Sequence, residues 1–197
     1  MRYFMDWEFN EDGVLVRPIS AAFVCEDGRE LYLINAEQDL SLFAENTETG
    51  VFLRNHVLPT LPIKAGRLDP YVWDTGHPHY EAHVFSRSAM RAQILHFMRA
   101  RSGPVELWAN YGVYDMICLN QLWGSMRDKD PILPWYCNDL QQTLRSHVIN
   151  AAGLPQQDSE TIHNALGDAR WLRDAHAWAS SIILHRSGTV DRYRPGP

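Results

Sequence analysis

Lysine, cysteine and long apolar runs are scarce in this chain, and each scarcity closes off a class of function. Of 197 residues only Lys64 and Lys129 are lysines, against 16 arginines, and 18 basic residues face 24 acidic ones for a net charge of −6. Holding nucleic acid on a broad basic face requires clustered Lys and Arg, so that mode of binding is excluded. A nucleic-acid enzyme is not, because carboxylates that bind cations lower the formal charge without repelling phosphate. The arginine excess suits phosphate forks and base stacking, and it also follows from GC-rich coding. Three cysteines, Cys25, Cys118 and Cys137, form no CxxC and no even set. They provide neither a disulfide framework nor a structural zinc site and read as small buried hydrophobes in a reducing compartment. No apolar stretch approaches the ~18 residues of a membrane span. Acids at Asp6, Glu8, Glu11 and Asp12 break the N-terminal stretch where a secretory signal would be apolar. The expectation is a cytoplasmic protein with no membrane partner.

What is present is an ordinary globular balance, 45% hydrophobic and 21% charged, without internal repeats and of a length that suits one domain. Strands are predicted at Tyr3–Phe9, Arg17–Glu26 and Glu30–Asn35, with Asp27-Gly28 turning the second into the third as an antiparallel hairpin. Short helical pieces follow from Asp39 to Leu58, ended by Pro59 and Pro62, and segment 63–85 reads as irregular. Apolar spacing predicts a helix over Ser86–Arg101, capped by Ser86 or Ser88 and closed by Gly103-Pro104. A fourth strand is expected at Val105–Asn110, a helix at Val113–Leu122, a short fifth strand at Ile132–Cys137, and a helix from the cap Asn138 to Ala152. A long last helix is expected at Asn164–His185, with a polar tail over 186–197. The order predicts a single α/β domain over 1–185: a mixed sheet of three antiparallel strands plus parallel ones, helices on both faces, strand one central.

On such a frame the acids fall in telling places. Asp6 and Glu8, two apart on a strand, project from one face. Unpaired carboxylates on an otherwise apolar central strand are costly and call for a cation or partner. Asp115 lies in the first turn of the helix after strand four, and Asp168 near the start of the last helix. The helix dipole alone favours acids there, so neither means much singly. Together the four carboxylates supply the oxygen donors that a pair of hard cations requires. His163 precedes Asp168 by five residues, ~140° around a continuous helix, and is therefore placed on the loop at the helix entry.

This pattern resembles the DEDDh 3′-to-5′ exonucleases on the ribonuclease-H-like fold. Their motifs are Asp-x-Glu on strand one, an Asp opening a helix after strand four, and His-x-x-x-x-Asp. Here these are Asp6 and Glu8, Asp115, and His163 with Asp168. Within the group the chain is most similar to the mycobacterial ribonuclease AS family, which degrades adenylate-rich RNA. The stretches YFMDWEFNEDG, CEDGRELY, HVLPTLP, ELWANYGVYD, LNQLWG and HNALGDAR follow its order and spacing over roughly positions 2 to 175. Trp7 stands where the family usually has Thr.

The resemblance implies an exoribonuclease that frees nucleoside 5′-monophosphates from single-stranded RNA. It implies two Mg²⁺ ions, with Mn²⁺ as a substitute: Asp6 bridging both, Glu8 and Asp168 on the first, Asp115 on the second, and His163 as general base. It also implies a homodimer. Trp7 or Phe9 is expected to stack on a substrate base. Two alternatives stand: a DNA exonuclease, since nothing in the sequence reads a 2′-hydroxyl, and a non-catalytic nucleic-acid- or protein-binding module on the same fold. Segment 66–85 exceeds the family pattern. Its His77, His79, His83, Asp74 and Glu81 are candidate Zn²⁺ ligands, and Tyr71, Trp73 and Tyr80 either stack on RNA or anchor the loop.

Overall fold

Alternating apolar residues start the chain on three long strands. In the computed structural model, which describes residues 1–100 and 103–190, these are β1 (Arg2–Glu11), β2 (Val16–Cys25) and β3 (Glu30–Asn35), paired antiparallel in sequence order. At the β2–β3 turn the Cys25 N–H donates to the Arg29 carbonyl at 2.8 Å, and Gly28 sits at φ +89°, a conformation that L side chains avoid.

A small sheet of β4 (Ile63–Ala65) and β5 (Tyr71–Trp73) follows a short helix α1 (Glu48–Phe52). The chain then forms α2 (Pro78–His83), β6 (Val84–Phe85), α3 (Arg87–Arg99) and β7 (Glu106–Ala109). Next come α4 (Val113–Gln121), β8 (Asn138–Asp139), α5 (Leu140–Ser146) and α6 (Ala165–Val190). The main sheet has the order β6-β3-β2-β1-β7-β8, with β3/β6, β1/β7 and β7/β8 parallel. β1 lies inside it, as expected.

Strand alternation divides the interior in two. Tyr3, Met5 and Trp7 of β1 pack with Met90, Ile94 and Met98 of α3 and Cys118 and Leu119 of α4. Phe4 points the other way, into a core with Ala165, Ala169, Leu172, Ala175 and Ala179 of α6. That alanine-rich stripe, at helical spacing, lets α6 lie close against the sheet. Asp6 and Glu8 share the α6 side with Phe4.

Several boundaries differ from expectation. Residues 132–137 form turns and not a strand, because Pro131 precedes them and Pro134 interrupts them, and Pro has no N–H for a ladder; the strand is β8, beyond them. The cap of α5 is Asp139, whose Oδ1 accepts from Gln142 N–H at 3.0 Å, and not Asn138. α5 ends at Ser146, where Val148 at φ 54° breaks the helix, and Ala151–Gly153 is a separate 3₁₀ turn. α6 runs past His185 to Val190; the rest of the expected tail, 191–197, and the expected helix end at Arg101 lie outside the described residues. Segment 66–85, expected to be irregular, carries β5, α2 and β6. Cys25 and Cys118 are buried, but Cys137 is only half-buried, since the turn that carries it lies at the surface.

Candidate active site

The site lies where β1 and β7 part. They pair only from Arg2 to Phe4 against Glu106 to Trp108. Past that point the Trp7 N–H has another acceptor: it donates to Asp115 Oδ1 at 2.9 Å. Asp115 gets there because the chain turns sharply between β7 and α4. Tyr111 sits at φ 58°, and Gly112 donates its N–H to Asp139 Oδ2 at 2.8 Å. A Cβ on Gly112 would lie 2.6 Å from the Ala109 Cβ and 2.7 Å from the Cys137 Sγ, so only glycine fits.

From the opposite face, the first turn of α6 delivers Asp168. Its Oδ2 accepts from the His163 backbone N–H at 3.0 Å, and its Oδ1 accepts from Gln157 Nε2. His163 takes a left-handed backbone, φ 62°, at the entry to α6, outside the helix. Its ring stands edge-on to Phe52 at 4.8 Å between centroids and lies 5.2 Å from the His56 ring.

Asp6, Glu8, Asp168 and His163 line one cavity of about 610 Å³, with Phe9 and Phe52 on its walls. Ligand atoms of Glu8, His163 and Asp168 lie within 4.8 Å of one another. Asp115 does not line the cavity. It sits at the edge of β1 through its bond from the Trp7 N–H, and it is the leading charge acting on Asp6.

Electrostatics expose the tension in this arrangement. Burial first, then Asp115, Glu8 and Asp168, push Asp6 well above the usual carboxylate range. Burial, then Asp168 and Asp115, push Glu8 up to about 8. Burial raises Asp115 to about 7 against the hydrogen bond from Trp7. Asp168 is raised by burial and lowered in part by Gln157 and His163. The leading charges on Asp6 and Glu8 are other carboxylates, so the group lacks its counter-charge. A donor set made almost wholly of oxygen fits a hard divalent cation such as Mg²⁺ or Mn²⁺. Burial lowers the His163 pKa, which Asp168 in part restores, so the ring is neutral and able to accept a proton near pH 7.

The two aromatic candidates part ways. The Trp7 ring is 3% exposed and edge-on to Phe23 at 6.2 Å, inside the core shared with α3 and α4, where no base can reach it. Trp7 borders the cavity, but strand alternation sends its ring into the core on the other side of the sheet, and it is withdrawn as a stacking residue. Phe9 follows an irregularity in the β1/β2 register, lines the cavity, and stacks on Tyr114 at 5.1 Å and 16°. Phe52, His56 and Gln157 were not anticipated. His56 lay in the HVLPTLP block, whereas Gln157 sits in a loop without periodicity to single it out.

An Asp-x-Glu on the inner strand, an Asp opening the helix after the parallel strand, and a His at the mouth of the helix carrying a fourth acid are arranged as in the exonuclease pattern that the sequence resembles, on a ribonuclease-H-like sheet. The comparisons agree. The chain is 36% identical over 171 residues to the 3′-5′ exoribonuclease Rv2179c of Mycobacterium tuberculosis (strain H37Rv), covering 86% of this chain and 88% of that protein. It matches the 3′-5′ exoribonuclease MT2234.1 of strain CDC 1551 to the same extent. It belongs to this family of mycobacterial-type exonucleases. No protein-family profile matches the chain.

Proposed function

We propose that the protein is a divalent-metal-dependent 3′-5′ exoribonuclease that removes nucleoside 5′-monophosphates from single-stranded, adenylate-rich RNA. The observation that carries this reading is a cavity large enough for a terminal nucleotide, lined by Asp6, Glu8, Asp168 and a neutral His163, with Asp115 adding a fourth repelling carboxylate beside Asp6. Asp6, Glu8 and Asp168 would hold one Mg²⁺, and Asp6 with Asp115 a second. When bound, such ions supply an acidified water and neutralise charge on the scissile phosphate.

His163 takes the proton from the attacking water, held in place by Phe52 and His56 on one side and by its backbone bond to Asp168 on the other. Phe9, backed by Tyr114, stacks on the terminal base. By resemblance the enzyme acts as a homodimer in the cytoplasm. Among the described residues no helix is long and apolar enough to cross a membrane.

Incubation with end-labelled A-rich, U-rich and mixed RNA and the matched DNA, with Mg²⁺ or EDTA, tests the reading. A-rich RNA should be trimmed fastest and EDTA should stop the reaction. Faster trimming of DNA would make the enzyme a DNA exonuclease, and a fully active Asp6→Asn variant would rule out the carboxylate mechanism.

A further inference from the structure

Outside the carboxylate cavity, three histidines, His77, His79 and His83, gather on α2 and its cap. His79 and His83 are four residues apart on that helix and so share a face. Their rings stand 5.4 Å apart between centroids, nearly perpendicular at 88°. Two imidazoles bound through nitrogen at ~2.0–2.1 Å to a tetrahedral ion would have centroids ~5 Å apart, so little movement is needed to close on a cation.

The hydrogen bonds settle which nitrogens are free. His83 Nδ1 lies 3.2 Å from the Tyr32 carbonyl oxygen, an acceptor only, so Nδ1 carries the proton and Nε2 presents a lone pair. A carbonyl fixing one ring nitrogen while the other faces outward is the support that metal-binding histidines use. Burial lowers the His83 pKa, which favours the neutral ring. His79 is exposed and free to turn. His77 differs: its Nδ1 accepts from the His79 N–H at 3.1 Å, so it is spent as the helix cap. Asp74 is held by Lys64 at 2.9 Å.

We propose that His79 and His83 form a second metal site, for a borderline divalent transition-metal ion such as Zn²⁺, with the remaining positions open to water or another ligand. It is separate from the carboxylate centre. Both histidines line a different cavity, of about 690 Å³, which contains none of Asp6, Glu8 and Asp168. The two sites also differ in chemistry: imidazole nitrogen selects Zn²⁺, Ni²⁺ or Cu²⁺ over Mg²⁺, whereas carboxylates accept Mg²⁺. The inference does not depend on the nuclease reading.

The test is calorimetric titration of Zn²⁺ into the whole protein in saturating Mg²⁺, for wild type, His79→Gln, His83→Asn and His77→Ala. His79 is exposed, so its replacement leaves the fold alone, and the amide introduced by His83→Asn retains a donor for the Tyr32 carbonyl. The first two variants should each lose one equivalent of Zn²⁺ binding, and His77→Ala should keep it. Cu²⁺ bound to the wild type should show two imidazole nitrogens by electron paramagnetic resonance, reduced to one or none in His79→Gln. Undiminished Zn²⁺ binding by His79→Gln and His83→Asn, or equal loss in His77→Ala, would overturn the assignment.

Discussion

Replacing Glu8 by Gln should make the metal-free protein more stable and flatten the dependence of its stability on pH. In the folded chain Glu8, 8% exposed, keeps its proton up to about 8 against 4.5 for an ordinary glutamate, because burial, Asp168 and Asp115 all disfavour its charge. A carboxyl with a raised folded pKa binds its proton more tightly in the folded than in the unfolded chain. Its effect is therefore absent below 4.5, and stability is lost as pH climbs toward 8. At about 1.36 kcal/mol per pH unit the deficit reaches ~3 kcal/mol at pH 7 but only ~1 kcal/mol at pH 5. For a chain of this size ~3 kcal/mol corresponds to ~6–12 °C in Tm. Thermal unfolding of wild type and Glu8→Gln in EDTA, from pH 5 to 8, measures this directly. The variant should melt ~6–12 °C higher at pH 7, with the gap narrowing toward pH 5. Saturating Mg²⁺ should then raise the wild type and leave the variant nearly unmoved. Parallel curves for the two proteins in EDTA would refute the account of the site as uncompensated charge.

Other outcomes follow from the same geometry. His163→Ala should lower kcat by about 10²–10⁴-fold and remove the limb of the pH-rate profile lying below the ordinary imidazole value, while Mn²⁺ affinity stays close to wild type. Asp168→Asn should instead weaken Mn²⁺ binding in calorimetry; equal loss of metal in both variants would make His163 a ligand. Products should be mononucleotides released stepwise from a free 3′ end, so chromatography of digests of a circular RNA should show no cleavage. Gly112→Ala should destabilise the fold by about 1–3 kcal/mol in chemical denaturation and slow turnover, since the new methyl would displace Ala109 or Cys137 at the entry to the helix that carries Asp115.

Much of this arrangement is legible in the sequence, and its limits are physical. β3 falls at Glu30–Asn35, directly after the Asp27-Gly28 turn, and the side chains of Asp6 and Glu8 share a face because strand periodicity leaves no other choice. The same alternation should have turned Trp7 away from the cavity. A bulge was needed to bring Phe9 round to the cavity, and the register of β1 against β2 shifts between Glu8 and Phe9. The strand expected at 132–137 fails because Pro134 within the segment, with Pro131 just before it, removes the N–H groups a ladder needs. The Phe52–His56 pair beside His163 depends on contact between segments some hundred residues apart, and Gln157 reaches Asp168 from an aperiodic loop, so no local pattern encodes either.

The bond from the Trp7 amide to Asp115 has a consequence for how the enzyme comes to life. It draws an acid from the helix packed on one core across to a strand whose remaining acids face the other core, so the set of four carboxylates is complete only when both cores have formed. A chain with α6 docked but α4 loose lacks one charge; a chain with α4 docked but α6 loose lacks Asp168 and an ordered His163. Hydrolytic competence is thus tied to the last folding event and not the first, and a partly folded nuclease is silent toward the RNA around it. Locking that amide late would appear as slow hydrogen exchange at Trp7, acquired together with activity during refolding.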